Sequence, residues 1–229
     1  MYPSEPFPHF VDDYLAYLYE VCPSQASLDG VHLHDDLLED LSRSAVDAHT
    51  RALAGFSRRL HQIDPAHLSP TEQVDHPIVA SNIEARMFDL ETVRPWDRNP
   101  QVYADVIGTS LAGQALFAYA PEPERARRLV SKLRQVPRLV QAARDNIKEC
   151  PGILVKIGLE TWRGTLKFIE TDLPRAFSGL DDLHILGDLL TRQRRPPPPS
   201  SRTSSTSKPT SPPVRKLRSG SGAIGSSRN

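Results

Sequence analysis

The clearest helical pattern in the chain lies in residues 122–147, EPERARRLVSKLRQVPRLVQAARDNI. Apolar residues recur there every three or four positions, which places them along one side of an α-helix. They are Ala126, Leu129, Val130, Leu133, Val136, Val140, Ala143 and Ile147. Pro123 suits the first turn, and the acidic residues beside it favour the positive end of the helix dipole. The stretch therefore predicts one long helix with an apolar stripe, bent at Pro137.

Helices with the same apolar period are predicted on both sides of this stretch, over residues 11–21, 42–63, 70–90, 102–119 and 154–177. Pro23 stops the first of them, and Ser42 or Ser44 caps the second. The clearest start is Ser69-Pro70-Thr71-Glu72, a capping box that opens the third helix. No segment shows the sustained period-two alternation of a strand. The sequence therefore predicts an all-α fold, a multi-helix array of antiparallel helices.

The third of these helices carries an apolar stripe that should face the core. The stripe consists of Val74, Ile78, Ile83, Phe88 and Leu90. Pro77 lies early in this helix, and we expect it to kink the helix or to delay its start, because proline removes a backbone hydrogen bond.

The composition changes abruptly at about Thr191. Nine of the 28 lysines and arginines follow this residue, whereas all 28 acidic residues precede it, so residues 1–190 carry a net charge of −9. Serine, threonine, proline, arginine and glycine dominate the rest, a composition that cannot bury enough apolar surface to fold. We expect a helical domain over 1–190 and a disordered basic tail over 191–229. Two origins of the tail stay open: a frameshift or mispredicted gene, and a genuine disordered tail.

Cysteine usage and the N-terminal sequence bear on the compartment. Cys22 and Cys150 lie far apart and form neither a disulfide framework nor a zinc-type pair, which favours a reducing compartment. The start, MYPSEPFPHF, has no basic n-region and no apolar h-region, so no signal peptide is expected. No apolar run reaches the roughly 20 residues that a membrane span needs. We therefore expect a cytoplasmic protein that does not interact with membranes.

The strongest candidate for a functional site in the sequence is the cluster His32-Leu33-His34-Asp35-Asp36. Imidazole and carboxylate are ligands of Zn²⁺ and other transition metals, so His32, His34 and Asp35 are candidate metal ligands. The alternative is a polar turn that caps a helix. None of the eight histidines is followed by glutamate, so the chain has no H-E-x-x-H zinc motif. No catalytic residue is therefore predicted.

The long helix at 122–147 and the residue after it carry eight basic side chains. They are Arg125, Arg127, Arg128, Lys132, Arg134, Arg138, Arg144 and Lys148. A nucleic-acid-binding stripe is one interpretation. Because the domain is acidic overall, we instead expect a solvated helix face and no nucleic-acid partner.

Four segments carry recognisable motifs in order along the chain: residues 30–42 (GVHLHDDLLEDLS), 75–82 (DHPIVASN), 96–103 (WDRNPQVY) and 134–146 (RQVPRLVQAARDN). Together they resemble the bacterial family called domain of unknown function 885. The match runs in order from about Phe10 to Pro174. Its motif positions are Gly30, His32, Asp35, Trp96, Arg98, Asn99, Pro100 and Tyr103. His34 stands where an aromatic residue is more usual in the family.

The resemblance implies a helical fold related to the zinc metallopeptidases of the H-E-x-x-H class, with a substrate cleft between two helical halves. In proteins of this family the zinc ligands belong to the C-terminal half, and nothing in this chain matches them. The chain is therefore expected to be an N-terminal helical fragment, inactive alone and without a cofactor. Zinc and a peptide substrate would belong only to the full-length family.

The fragment interpretation has a consequence for the surface of the domain, and one alternative function stays open. The surface that faces the other half should be apolar and exposed, so we expect self-association. The alternative function is a non-enzymatic helical binding module, with the basic tail as an electrostatic or polyproline anchor.

Overall fold

A computed structural model describes residues 6–180, and these residues form helices without any strand. The helices are α1 Phe7–Val21, α2 Pro23–Leu28, α3 Arg43–Leu60, α4 Pro70–Phe88, α5 Pro95–Arg98, α6 Gln101–Leu116, α7 Glu122–Asn146, α8 Gly152–Lys167 and α9 Leu173–Ala176. The all-α prediction is confirmed. The predicted tail, 191–229, lies outside the described residues.

Local capping signals are confirmed at two helix starts. The Ser42 side chain accepts a hydrogen bond from the amide of Ala45 and caps α3. At α4, Ser69 accepts from the amide of Glu72, and the Glu72 carboxylate accepts from the amide of Ser69 at 2.8 Å. Each side chain satisfies an amide that has no partner within the helix, so the chain enters both helices at defined residues.

Other helix boundaries differ from the sequence prediction. Pro23 follows the end of α1, as expected, but it also begins α2, because proline is tolerated in a first helical turn. α4 begins at Pro70 and continues through Pro77, so its start is not delayed. The last predicted helix is divided into α8, a π-helical segment at Phe168–Asp172, and α9.

The prediction for the apolar stripe of α4 is wrong at three positions. Val74, Ile78 and Phe88 are each more than half exposed, and within this helix only Ile83 is buried. α4 packs mainly against α3. Its contact surface is therefore narrower than the predicted stripe.

Two clusters of buried side chains hold the described residues together. The first, which we call the aromatic core, lies between α1, α3 and α4. Its members are Phe7, Phe10, Tyr14, Leu18, Leu53, Phe56, Leu60, Ile63 and Ile83. The second, the central core, includes Tyr103, Ile107, Leu111, Leu129 and Leu139, where α6 and α7 pack together. Burial of large side chains of this kind stabilises a fold by about 1.5–3 kcal/mol each.

α8 packs on α6 through a narrow line of contact. Gly158 lies against Pro100, Thr165 lies against Gly108, and the indole Nε1 of Trp162 donates to the Pro100 carbonyl at 3.0 Å. Within α8 only Gly158 and Thr165 are buried. Among residues 6–180, no helix is long and apolar enough to cross a membrane.

Candidate functional site

The loop between α2 and α3, residues 29–42, lies against α7. Gly30 has φ +85°, a left-handed conformation that side chains other than glycine rarely adopt. Gln135 on α7 accepts from the amide of Leu38 at 3.1 Å and donates to the Asp36 carbonyl at 2.7 Å. Asn146, at the end of α7, donates to the Leu41 carbonyl at 2.6 Å. The α7 side chains thus provide the hydrogen bonds that the loop backbone cannot make with itself.

Asp35, a residue of this loop, is the centre of a polar cluster between the loop, α2 and α7. Its side chain is 1% exposed. The carboxylate accepts from the hydroxyl of Ser27, from His32 Nδ1 at 2.9 Å and from Arg128 Nη1 at 2.6 Å. Burial alone would raise the pKa of Asp35, but the hydrogen bond from Ser27 and the polar contacts of Tyr119 and His32 outweigh it and lower this pKa from its ordinary value. Asp35 is therefore an anion that binds three elements of the chain together.

His32 is held in one orientation by two contacts. Its ring stacks on Tyr119 with centroids 3.8 Å apart and planes 6° from parallel. Because an ionised carboxylate can only accept, the bond to Asp35 places a proton on His32 Nδ1. The His32 side chain remains 31% exposed. The ring is therefore fixed by Asp35 and Tyr119 while part of the side chain stays exposed.

Arg128 and Tyr119 complete the cluster. Arg128 bridges Asp35 to Glu124, whose carboxylate oxygen lies 2.5 Å from Nη2. The hydroxyl of Tyr119 donates to the side-chain oxygen of Gln114, and burial raises the pKa of Tyr119 to about 12. The tyrosine is therefore a neutral donor throughout the physiological pH range.

Lys132 corrects the prediction of a fully solvated basic face on α7. Its side chain is completely buried, and Nζ donates to the hydroxyl of Ser110 on α6 at 2.7 Å. Burial lowers the pKa of Lys132, although the carboxylate of Asp35 partly opposes this effect. The sequence analysis counted Lys132 among the solvated basic residues and predicted neither its burial nor its contact with Ser110. The available signal was register, because Lys132 is three residues after Leu129 and seven before Leu139, both of which are buried.

The second group of motif positions forms a corner between α5 and α6. Trp96 Nε1 donates to the Leu90 carbonyl at 3.0 Å. Asn99 accepts from the amide of Gln101 at 3.0 Å and so satisfies the start of α6. Tyr103 is buried and hydrogen-bonds to the Trp96 carbonyl and to Asn146.

Pro100 and Arg98 complete this group. Pro100 receives both Trp162 and Gly158 of α8. Arg98 is exposed, and its Nε lies 3.6 Å from the carboxylate of Asp97. Most of these positions therefore have a structural contact that accounts for the residue type.

The three predicted metal ligands are only partly brought together. His32 and Asp35 are in contact, but no group of three His, Cys, Asp or Glu side chains within residues 6–180 is arranged to hold a metal ion. The oxygen of Asp35 that accepts from His32 also accepts from Arg128. Metal binding by His32, His34 and Asp35 stays a prediction.

One solved structure shares this fold over most of the chain. It is described as "a putative lipoprotein of unknown function from Shewanella oneidensis", and it matches with a TM-score of 0.73 and 22% sequence identity. The match covers 82% of this chain but only 34% of that chain, so this protein spans about a third of the length of its structural neighbour. No curated protein matches the sequence.

The family comparison covers the loop, α7 and the α5–α6 corner. Residues 23–197 match the family described as "Bacterial protein of unknown function (DUF885)". The matched region includes Asp35, Lys132 and Tyr103, around which the polar contacts are organised. The chain therefore belongs to the bacterial DUF885 family.

Proposed function

We propose that this chain acts as the N-terminal helical half of a zinc-metallopeptidase-like protein and has no peptidase activity on its own. The family resemblance supplies the peptidase-like expectation. The absence of an H-E-x-x-H motif from all 229 residues supports inactivity, because that class uses two histidines one helical turn apart as zinc ligands.

The outward surface of α8 is the observation that carries this proposal. Five aliphatic side chains on this helix are 37–63% exposed. They are Ile153, Val155, Ile157, Leu159 and Leu166. Leu116 and Phe117, at the end of α6, are more than half exposed as well. A helix that is apolar around most of its circumference is usually buried on several sides.

The length of the structural neighbour supports the same interpretation. This chain reproduces the fold of about a third of that protein. A second structural half packed on α8 would cover the exposed aliphatic side chains and remove them from water. Each buried CH₂ group would then contribute about 0.8 kcal/mol.

The Asp35 cluster has a positioning role under this proposal. Arg128 and His32 connect the loop at 29–42 to α7 through Asp35, and Gln135 fixes the same loop by backbone contacts. The cluster would hold the shape of the helical half while the other half provides the zinc site.

Metal content and peptide cleavage test the proposal together. We expect the purified 229-residue protein, incubated with zinc and then desalted, to contain no stoichiometric zinc. We also expect it to leave a quenched fluorescent peptide library uncleaved. A matched variant with both His32→Ala and His34→Ala should have the same metal content as the wild type. Stoichiometric zinc together with chelator-sensitive cleavage would contradict the proposal.

A further inference from the structure

A cavity lies in the α1–α4 region, away from the Asp35 cluster. It has a volume of about 250 Å³ and is lined by residues of α1, of α2 with its flanking residues, and of α4. Val11, Leu15, Leu18 and Val79 provide an apolar lining, and Ile78 is 62% exposed beside them. The volume is below the roughly 300–1,000 Å³ of pockets for drug-sized ligands, so a smaller molecule would fit.

Among residues 6–180, Arg86 provides the single positive charge of this lining. Its Nε donates to the side-chain oxygen of Asn82 at 3.0 Å, and the same oxygen accepts from the hydroxyl of Tyr14 at 2.7 Å. Nη1 lies 3.9 Å from the sulfur of Cys22. These contacts fix the guanidinium while leaving donors on Nη1 and Nη2, because arginine has five N–H groups in total.

No carboxylate of residues 6–180 forms an ion pair with Arg86. The other charged group in the lining, Asp29, accepts from Gln25 Nε2 at 2.8 Å instead. A guanidinium next to an apolar wall, with free donors and no ion-pair partner, suits a ligand that has a carboxylate at one end and a hydrocarbon chain at the other. The planar fork of arginine matches a carboxylate in a bidentate manner.

We propose that this cavity binds a small monocarboxylate with one apolar chain, whose carboxylate pairs with Arg86 and whose chain lies along Val11, Leu15 and Val79. The inference does not depend on the peptidase proposal. Two sources share this chemistry: a free medium-chain acid, and the carboxyl-terminal residue of a peptide with an aliphatic side chain. Octanoate represents the first source and N-acetyl-L-leucine represents the second.

Calorimetric titration of the full chain tests the site. We expect octanoate or N-acetyl-L-leucine to bind, and 1-octanol, which lacks the charge, to bind at least about tenfold more weakly. A charge-assisted hydrogen bond contributes about 1.5–3 kcal/mol, which corresponds to roughly a 10- to 150-fold change in affinity. The stronger of the two carboxylates identifies the source.

Two variants locate the binding to this cavity. Arg86→Met should weaken binding at least about tenfold, whereas Arg127→Met, an exposed arginine on α7, should bind like the wild type. Ile78→Asp places a negative charge beside the cavity at an exposed position, and it should weaken binding without removing any contact of Arg86. If Arg86→Met does not fold, Ile78→Asp decides whether the ligand binds in this cavity.

Cys22 provides an independent readout of occupancy. Its sulfur lies beside Arg86, so bound carboxylate should slow alkylation of Cys22, resolved by mass spectrometry, and leave that of Cys150 unchanged. Equal binding of octanoate and octanol would overturn the proposal. Unchanged binding in a folded Arg86→Met variant, or in Ile78→Asp, would do the same.

Discussion

Helices α7 and α8 are both long, but the chain covers them very differently. α7 buries an inner face against α6 and also holds the loop at 29–42, so even its inward polar side chains have partners. α8 buries only Gly158 and Thr165 and exposes five aliphatic residues. Under the proposed function, α7 is complete within this chain, whereas α8 is completed by a second half. The following predictions test this difference.

The largest expected effect comes from shortening one leucine in each helix. Leu129 on α7 is completely buried, and Leu129→Ala should destabilise the protein by about 2–5 kcal/mol, since it leaves a cavity in the central core. Leu159 on α8 is half exposed, and Leu159→Ala should change stability by no more than about 0.5 kcal/mol. Urea unfolding followed by circular dichroism measures both. Equal losses in the two variants would contradict the comparison.

The next effect concerns the loop that α7 holds. Asp35→Ala leaves the donors of Ser27, His32 and Arg128 without their shared acceptor, and we expect a loss of about 1–3 kcal/mol. The neighbouring Asp36 is exposed, so Asp36→Ala is the matched control and should leave stability nearly unchanged. The same urea titrations apply. If Asp35→Ala were as stable as its control, the cluster would not be holding the loop.

A smaller effect separates the two sides of α8. A Cβ at Gly158 would lie 2.7 Å from Cγ of Pro100, and this clash should cost more than the higher helix propensity of alanine contributes. We therefore expect Gly158→Ala to destabilise the protein by about 1 kcal/mol in net. Gly164 on the same helix has nothing within 4 Å of such a Cβ, and Gly164→Ala should stabilise by about 0.5–1 kcal/mol. Melting temperatures of both variants should move in opposite directions. A shift in the same direction would argue against the narrow contact with α6.

The buried Lys132 on α7 should make the stability of the protein depend on pH, an effect for which α8 has no counterpart in this comparison. Burial lowers its folded pKa below the usual 10.5, so the unfolded chain binds more protons at a pH between these two values. Stability should therefore rise with pH through that window. Lys132→Met removes the titratable amine and should flatten the dependence of stability on pH in this window. Lys148→Met, at an exposed position, should leave the curve as it is. An unchanged slope in Lys132→Met would show that the buried amine does not titrate in this way.

Local sequence signals predicted helix starts well because their physics involves only a few neighbouring residues. Ser69 and Glu72 satisfy each other's amides across three positions, so the capping box is visible without any tertiary information. The apolar period of residues 122–147 likewise predicted α7, since every turn of a helix repeats the same geometry.

Contacts between distant residues could not be predicted in the same way. Lys132 was assigned to a solvated face because the domain is acidic overall. Its acceptor, Ser110, is 22 residues away on another helix, so the burial of Lys132 could not be predicted from its neighbours in the sequence. Val74 and Ile78 have the spacing of a core face, but α3 covers only part of α4. His32 and Asp35 were identified together with His34 as candidate metal ligands. Arg128, which pairs with Asp35 in the structure, lies 93 residues further along the chain and was not connected with them.

Sedimentation velocity of the 229-residue protein over a range of concentrations tests the central claim most directly, because the claim is that α8 requires a partner surface. We predict that the wild type self-associates, that the association persists at high salt, and that Leu159→Lys weakens it. Leu33→Lys, in the loop and 82% exposed, is the matched control and should associate like the wild type. A wild-type protein that stays monomeric at every concentration, or a Leu159→Lys variant that associates as strongly as its control, would contradict the account.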